Sequence, residues 1–270
     1  VQLSREGVQI AFGEAEADGT TCIAGGRWAW VVEPRREGRA SLRAALEEAC
    51  ARVPAGRVAL ALSGGVDSAV LAALLRDRVM VYTLESGLAD YCEVAETQAV
   101  ADRLGVALRR VRVDAEAFVQ AVPAAIHACE TPLYNLHPVG RHLLARAVRA
   151  DGFEVLITGD GADEVFAGKN GGDYLPVVGA LTRAAGLTAW APFLDPGVVA
   201  SVGRDADKRV LRALAGALGV PEEVATRAKR ARARGTSPRG WAWGSRPERT
   251  ARALRRSRRT HRTGRPIWWV

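Results

Sequence analysis

Two serines, two glycines and an aspartate fall together in Leu62-Ser63-Gly64-Gly65-Val66-Asp67-Ser68. The segment lies between a short apolar run, Val58 to Leu62, and a stretch of helical spacing, Asp67 to Leu75. Paired glycines let the backbone turn tightly and present its N–H groups, and a helix starting there aims the positive end of its dipole at the same point. Such a nest receives an anion. Ser63 and Ser68 add hydroxyl donors, and Asp67 offers a hard oxygen suited to Mg²⁺ held against phosphates. No lysine precedes the final serine, so the loop is not of the Walker-A type.

A second group of carboxylates sits in Leu156-Ile157-Thr158-Gly159-Asp160-Gly161-Ala162-Asp163-Glu164-Val165-Phe166. Asp160, Asp163 and Glu164 follow another buried apolar run, at the end of a strand where open α/β sheets bind ligands. Carboxylates crowded in this way are costly unless a cation compensates them. A Mg²⁺ shared between Asp67 and Asp163 and bridging phosphates would do so.

Three further segments complete the pattern: Ala191-Pro192-Phe193-Leu194-Asp195, Lys208-Arg209-Val210-Leu211-Arg212 and Arg227-Ala228-Lys229. SGGVDS resembles the PP-loop of the N-type ATP pyrophosphatases, and GDGADE resembles the signature of asparagine synthetase's synthetase domain and its relatives, β-lactam synthetase and lasso-peptide cyclase. PFLD, K-x-x-L-R and R-x-K resemble that family's later elements. The resemblance covers about residues 40–235. It implies an adenine nucleotide alpha hydrolase-like fold and cleavage of ATP between its α- and β-phosphates. A carboxylic acid, aspartate or a related acid, would be activated as an adenylate and passed to ammonia or an amine.

By the same resemblance Leu62, Ser63, Gly64, Gly65, Val66, Asp67 and Ser68 bind ATP, Gly159 lies near the α-phosphate, and Asp67 and Asp163 hold Mg²⁺. Asp160 stands near the acyl acceptor, and Lys229 supplies a fixed cation to the charge on the acyl-adenylate and its tetrahedral successor. Lys208 is either part of this machinery or a solvated lysine in the first turn of an amphipathic helix. Two departures stand out. The glutaminase region of asparagine synthetase proper is replaced by a short β segment, so ammonia would come free, from a separate glutaminase subunit, or as an amine on the substrate. Phe166-Ala167-Gly168-Lys169 replaces the family's Phe-Gly-Gly-Tyr, and contacts of that tyrosine are lost.

Positioning these groups requires a particular scaffold. Apolar runs at Val58 to Leu62, Val79 to Leu84, Leu108 to Val113 and Val155 to Thr158 alternate with helical stretches at Glu93 to Leu104, Ala115 to Cys129 and Val139 to Arg149. Uniformly apolar strands alternating with helices predict an α/β fold, a doubly wound parallel sheet covered on both faces. A helix over Ala40 to Val53 leads in, and another runs from about Lys208 to Leu218. Residues 1–39 read as a small β segment, with runs at Val8 to Phe12 and Thr20 to Val32 packed on the main body. His127, His137 and His142 read as packing or substrate-wall residues, and Glu130 to Tyr134 as a loop lining the acyl pocket.

The 270 residues are 48% hydrophobic and 25% charged, an ordinary globular composition, with a net charge of +8. The excess is confined to one end: residues 1–225 carry a net −6 and residues 226–270 a net +14. Residues 236–270 read as a basic, disordered tail or out-of-frame text rather than a nucleic-acid arm, despite arginines interleaved with tryptophans. The four cysteines are far apart and read as reduced thiols. With no long apolar run and no signal-peptide pattern, the expected location is cytoplasmic, away from membranes. Two alternatives to a ligase are a PP-loop tRNA-modifying enzyme that uses the tail for RNA, and a non-catalytic nucleotide-binding paralogue.

Overall fold

The computed structural model describes residues 2–4, 20–22, 29–31, 41–86, 92–129, 137–166, 174–202 and 208–227. Its centre is a parallel sheet of five strands, β4 (Val58–Ala61), β5 (Met80–Ser86), β6 (Leu108–Val113), β7 (Val155–Ile157) and β8 (Thr188–Trp190). Their spatial order is β6-β5-β4-β7-β8. The chain therefore starts in the middle, winds outward to β6, then returns to the other side of β4. The reversal falls between β4 and β7, and the crevice beyond the carboxyl ends of those two strands is where a doubly wound sheet takes its ligand.

Alternation along β4 sends neighbouring side chains to opposite layers. Leu60 joins a core with α1 (Leu42–Ala51), α2 (Val66–Leu75), α3 (Val94–Leu104) and α10 (Lys208–Ala217), whereas Ala59 joins one with α6 (His137–Ala150). Both faces are thus covered, and the central strands need apolar residues throughout. The edge strand β6 departs from that pattern. Arg109, Arg110 and Arg112 interrupt its apolar residues, and Arg109 and Arg112 are largely exposed. Charge on an edge discourages a further strand from pairing there.

Several elements differ from the sequence expectation for identifiable reasons. The single helix over Ala115 to Cys129 is two, α4 (Ala115–Gln120) and α5 (Val122–Cys129). Pro123 has no N–H for the Val119 carbonyl and disfavours helical geometry at the residue before it. Within the Ala191 to Asp195 motif, β8 gives way to a 3-10 turn at Pro192–Leu194, since Pro192 cannot donate to the ladder. That turn leads into α9 (Pro196–Ser201), capped by the Asp195 carboxylate, which accepts from Gly197 N at 2.8 Å. Near the N-terminus, β1 (Gln2–Ser4), β2 (Thr20–Cys22) and β3 (Ala29–Val31) form an antiparallel sheet with β3 in the middle. The expected strand at Val8 to Phe12, the Glu130 to Tyr134 loop and the basic tail lie outside the described residues.

The remaining helices, α7 (Ala162–Phe166), α8 (Tyr174–Ala184) and α11 (Glu222–Thr226), follow the second carboxylate group or close the described chain. Cys50, Cys92 and Cys129 are free thiols. Among the described residues no helix is long and apolar enough to cross a membrane.

Candidate active site

β4 delivers the chain into the glycine-rich loop with Leu62 still paired, its N–H donating to the Tyr82 carbonyl at 2.8 Å. Gly64 then takes a left-handed conformation (φ 65°) that a side chain would strain, and Gly65 caps α2. Ser68 braces the turn from inside the helix. Its Oγ accepts from Ser63 N at 3.0 Å, lies 3.1 Å from Ser63 Oγ, and donates to Gly65 O at 3.2 Å. The loop is therefore held in shape by its own hydroxyls while the first N–H groups of α2 face the crevice.

Gly159 meets this loop from the other side of the crevice. A Cβ there would stand 3.1 Å from the backbone N of Ser68 and 3.2 Å from Asp67 Cβ. The turn after β7 and the first turn of α2 are thus in backbone contact, and only glycine permits that approach. Two positions on, Gly161 takes a positive φ of 89°. The chain turns there into α7, which carries Asp163 and Glu164 in its first turn.

Lys208 joins the two halves. Its Nζ donates to both oxygens of Asp67 at 2.8 Å and lies 2.6 Å from Asp163 Oδ1. The lysine side chain is only 18% exposed, so it is not a solvated residue of α10. Burial pulls its pKa down, but the two carboxylates outweigh that and hold it above the ordinary lysine value. One cation thus already sits between the two carboxylates proposed to hold Mg²⁺. They are hard oxygen donors close enough to share a single charge, a set that suits Mg²⁺ with phosphate oxygens completing its shell.

Asp160 faces a different cation. Arg141 of α6 grips it through two parallel hydrogen bonds, Nη1 to Oδ2 at 2.7 Å and Nη2 to Oδ1 at 2.6 Å, with both side chains largely buried. A third ion cluster flanks the phosphate loop, where Arg227 binds Glu93 at 3.1 Å and Glu96 at 2.6 Å. The Cβ atoms of those glutamates stand 3.1 Å from where a Cβ on Gly64 would lie. Arg227 is thereby tied to the loop's outer wall. Lys229, two residues on, lies outside the described residues.

The structure therefore brings Ser63, Asp67, Ser68, Gly159, Asp163 and Lys208 to one crevice, with Asp160 at its side. Arg141, Glu93, Glu96 and the anchoring role of Arg227 were not singled out from sequence, and no local pattern marks them. His142 is buried on α6, where burial and then the nearby Arg146 lower its pKa.

The family model for asparagine synthase matches residues 39–179, just over half of the chain. This protein belongs to the asparagine synthase family. Among curated proteins, amidase chyE of Penicillium rubens is 36% identical over 131 residues, taking in 41% of this chain and 19% of its own length. The carboxyethyl-arginine beta-lactam-synthase of Streptomyces clavuligerus is 32% identical over 151 residues, 54% of this chain and 29% of that one. The chain thus spans less than a third of the length of these relatives. Among solved structures, the NMN synthetase of Francisella tularensis superposes with a TM-score of 0.41 and 18% identity over 69% of this chain and 71% of that one. The asparagine synthase match ends within α8, so it takes in the phosphate loop and the GDGADE turn but not Lys208 or Arg227.

Proposed function

We propose that this protein is an ATP-dependent, amide-forming ligase that activates a carboxylic acid as its adenylate. The observation that carries the reading is the gathering of Asp67 and Asp163, from the first turns of two separate helices, onto one cation at the mouth of a hydroxyl-braced glycine loop. Membership of the asparagine synthase family and the likeness to a beta-lactam synthase support it.

The phosphates of ATP would lie on the N–H groups of Gly65, Val66 and Asp67, with the Ser63 hydroxyl as a further donor and Ser68 bracing the turn. Asp67 and Asp163 would hold Mg²⁺, which neutralises phosphate charge and polarises the phosphoryl oxygens when bound. A substrate carboxylate oxygen attacks the α-phosphorus, the bond to the α–β bridging oxygen breaks, and pyrophosphate leaves with that electron pair. Lys208, which bridges Asp67 and Asp163, would add a fixed positive charge beside the phosphates. Ammonia or an amine then attacks the acyl carbon, the acyl–phosphate bond breaks to release AMP, and the nitrogen gives up a proton. In this reading Asp160, held by Arg141 at the side of the crevice, would stand near the acyl acceptor in that second step.

Lys229 is the further cation of this reading. Arg227 is pinned to the wall of the phosphate loop, and a two-residue span reaches at most about 7 Å. The family resemblance is what assigns the charge of Lys229 to the acyl-adenylate. The amine is ammonia, free or delivered by a glutaminase, or an amino group carried by the substrate itself.

The test is acid-dependent exchange of labelled pyrophosphate into ATP, together with hydroxamate formation in the presence of hydroxylamine. Exchange with at least one acid, and AMP rather than ADP as product, are expected. ATP binding without exchange across a broad panel of acids would leave a nucleotide-binding protein and overturn the ligase reading.

A further inference from the structure

A cavity of about 250 Å³ lies at the carboxyl ends of β7 and β8. Thr158 and Asp160 line it and flank Gly159, the residue in contact with the first turn of α2. The cavity therefore adjoins the proposed adenylation site at Thr158 and Asp160. Its walls are Leu175 and Val178 of α8, Trp190 of β8 and Leu194 of the following turn.

The charges on its lining are already spoken for. Asp160 is held by Arg141, and Asp195 is 2.6 Å from Arg52. Among the described residues that line it there is no lysine, arginine or histidine. Against this described lining a side-chain carboxylate gives up part of its hydration and meets no cation, whereas an apolar group gains by leaving water. The space admits a body of several non-hydrogen atoms. That is the scale of a branched aliphatic or single-ring side chain.

Resting on the ligase reading, we infer that this cavity receives an uncharged, apolar body belonging to the substrate acid or to the amine that attacks it, and that aspartate is a poor substrate. The acid and the amine share the chemistry that the cavity recognises, and the order of events separates them. If the acid carries the apolar body, pyrophosphate exchange depends on it with no amine present. If the amine carries it, exchange occurs with a small acid and only amide formation responds to the amine's side chain.

The experiment sets acids and amines with aliphatic or single-ring side chains beside aspartate and glutamate. It measures exchange, amide formation and, by calorimetry on the ATP-loaded protein, binding without turnover. Apolar compounds should be preferred by more than about tenfold. Ala189→Ile, which narrows the cavity from β8, should weaken the bulkiest ones by at least about tenfold while ATP affinity stays within about twofold. Trp190→Ala should shift preference to larger side chains, a gain that a merely damaged fold does not produce. Preference for aspartate, or loss of all compounds equally in both variants, would overturn the inference and leave the ligase reading standing. Calorimetric binding of apolar compounds without any exchange would uphold the cavity and overturn the ligase reading instead.

Discussion

Lys208 and Asp163 meet at 2.6 Å although one opens α10 and the other lies in the first turn of α7. With Asp67 on the ammonium's other side, the lysine neutralises in advance a site that nucleotide and metal would otherwise have to neutralise themselves. Replacing it by methionine leaves two carboxylates facing each other across the crevice. Lys208→Met should lower stability by about 1–3 kcal/mol in urea titrations without ligands. It should also make the protein responsive to Mg²⁺ alone: millimolar Mg²⁺ raises the melting temperature of the variant and leaves wild type nearly unchanged. Equal responses in both proteins would show that the lysine does not stand in for a metal.

Gly159 and Gly65 separate packing from ligand approach. A Cβ on Gly159 would press into the backbone of α2, so Gly159→Ala should cost about 1–3 kcal/mol and weaken ATP binding together. On Gly65 a Cβ would meet only Ser63 Oγ, at 3.7 Å. Gly65→Ala should therefore unfold at nearly the wild-type urea concentration, and any loss of ATP affinity reports crowding of the phosphates.

The fork between Arg141 and Asp160 predicts strong coupling. Arg141→Met leaves a largely buried carboxylate without its cation, a loss of about 2–4 kcal/mol, while Arg141→Met with Asp160→Leu should recover part of it. A double-mutant cycle on urea midpoints measures this, and a coupling below ~0.5 kcal/mol would reduce the pair to a surface contact.

Arg227→Gln removes the charge shared by Glu93 and Glu96. The two carboxylates then repel beside Gly64, and the wall of the phosphate loop loosens. A drop of about 1–3 kcal/mol in stability is expected, with a several-fold rise in KM for ATP. Raising salt should partly rescue the variant, because the repulsion is screened.

Cys50 provides a pH-dependent test. Burial pushes its thiol up to about 11, with nearby Arg78 pulling weakly the other way. The folded protein keeps a proton that the unfolded chain gives up from about pH 9, so this residue withdraws stability as pH rises from 9 toward 11. Cys50→Ala should flatten that part of the stability profile. At pH 8, alkylating reagents should modify Cys92 and spare the buried Cys50 and Cys129.

Those features of the site that arise locally were visible in sequence. The glycine-serine loop after β4 and the carboxylates after β7 each follow a buried strand within a few residues, and the parallel sheet follows from the alternation of apolar runs and helices. The pairing of Lys208 with Asp67 spans 141 positions and that of Arg227 with Glu93 spans 134. No periodicity records which charges will meet once distant helices dock, and Arg141 looks in sequence like any arginine on an amphipathic helix. The break at Ala121 has a simpler reason: apolar content alone does not register the missing N–H of Pro123.

The two tethers from Lys208 and Arg227 also set a timetable for synthesis. The phosphate loop leaves the ribosome early, yet the cations that balance Asp67 and brace Gly64 arrive only after residues 208 and 227 have been made. A partly synthesised chain can fold its central strands, but its crevice is still an uncompensated acidic gap. In the proposed ligase the nucleotide crevice is therefore balanced in charge only once synthesis has passed residue 227.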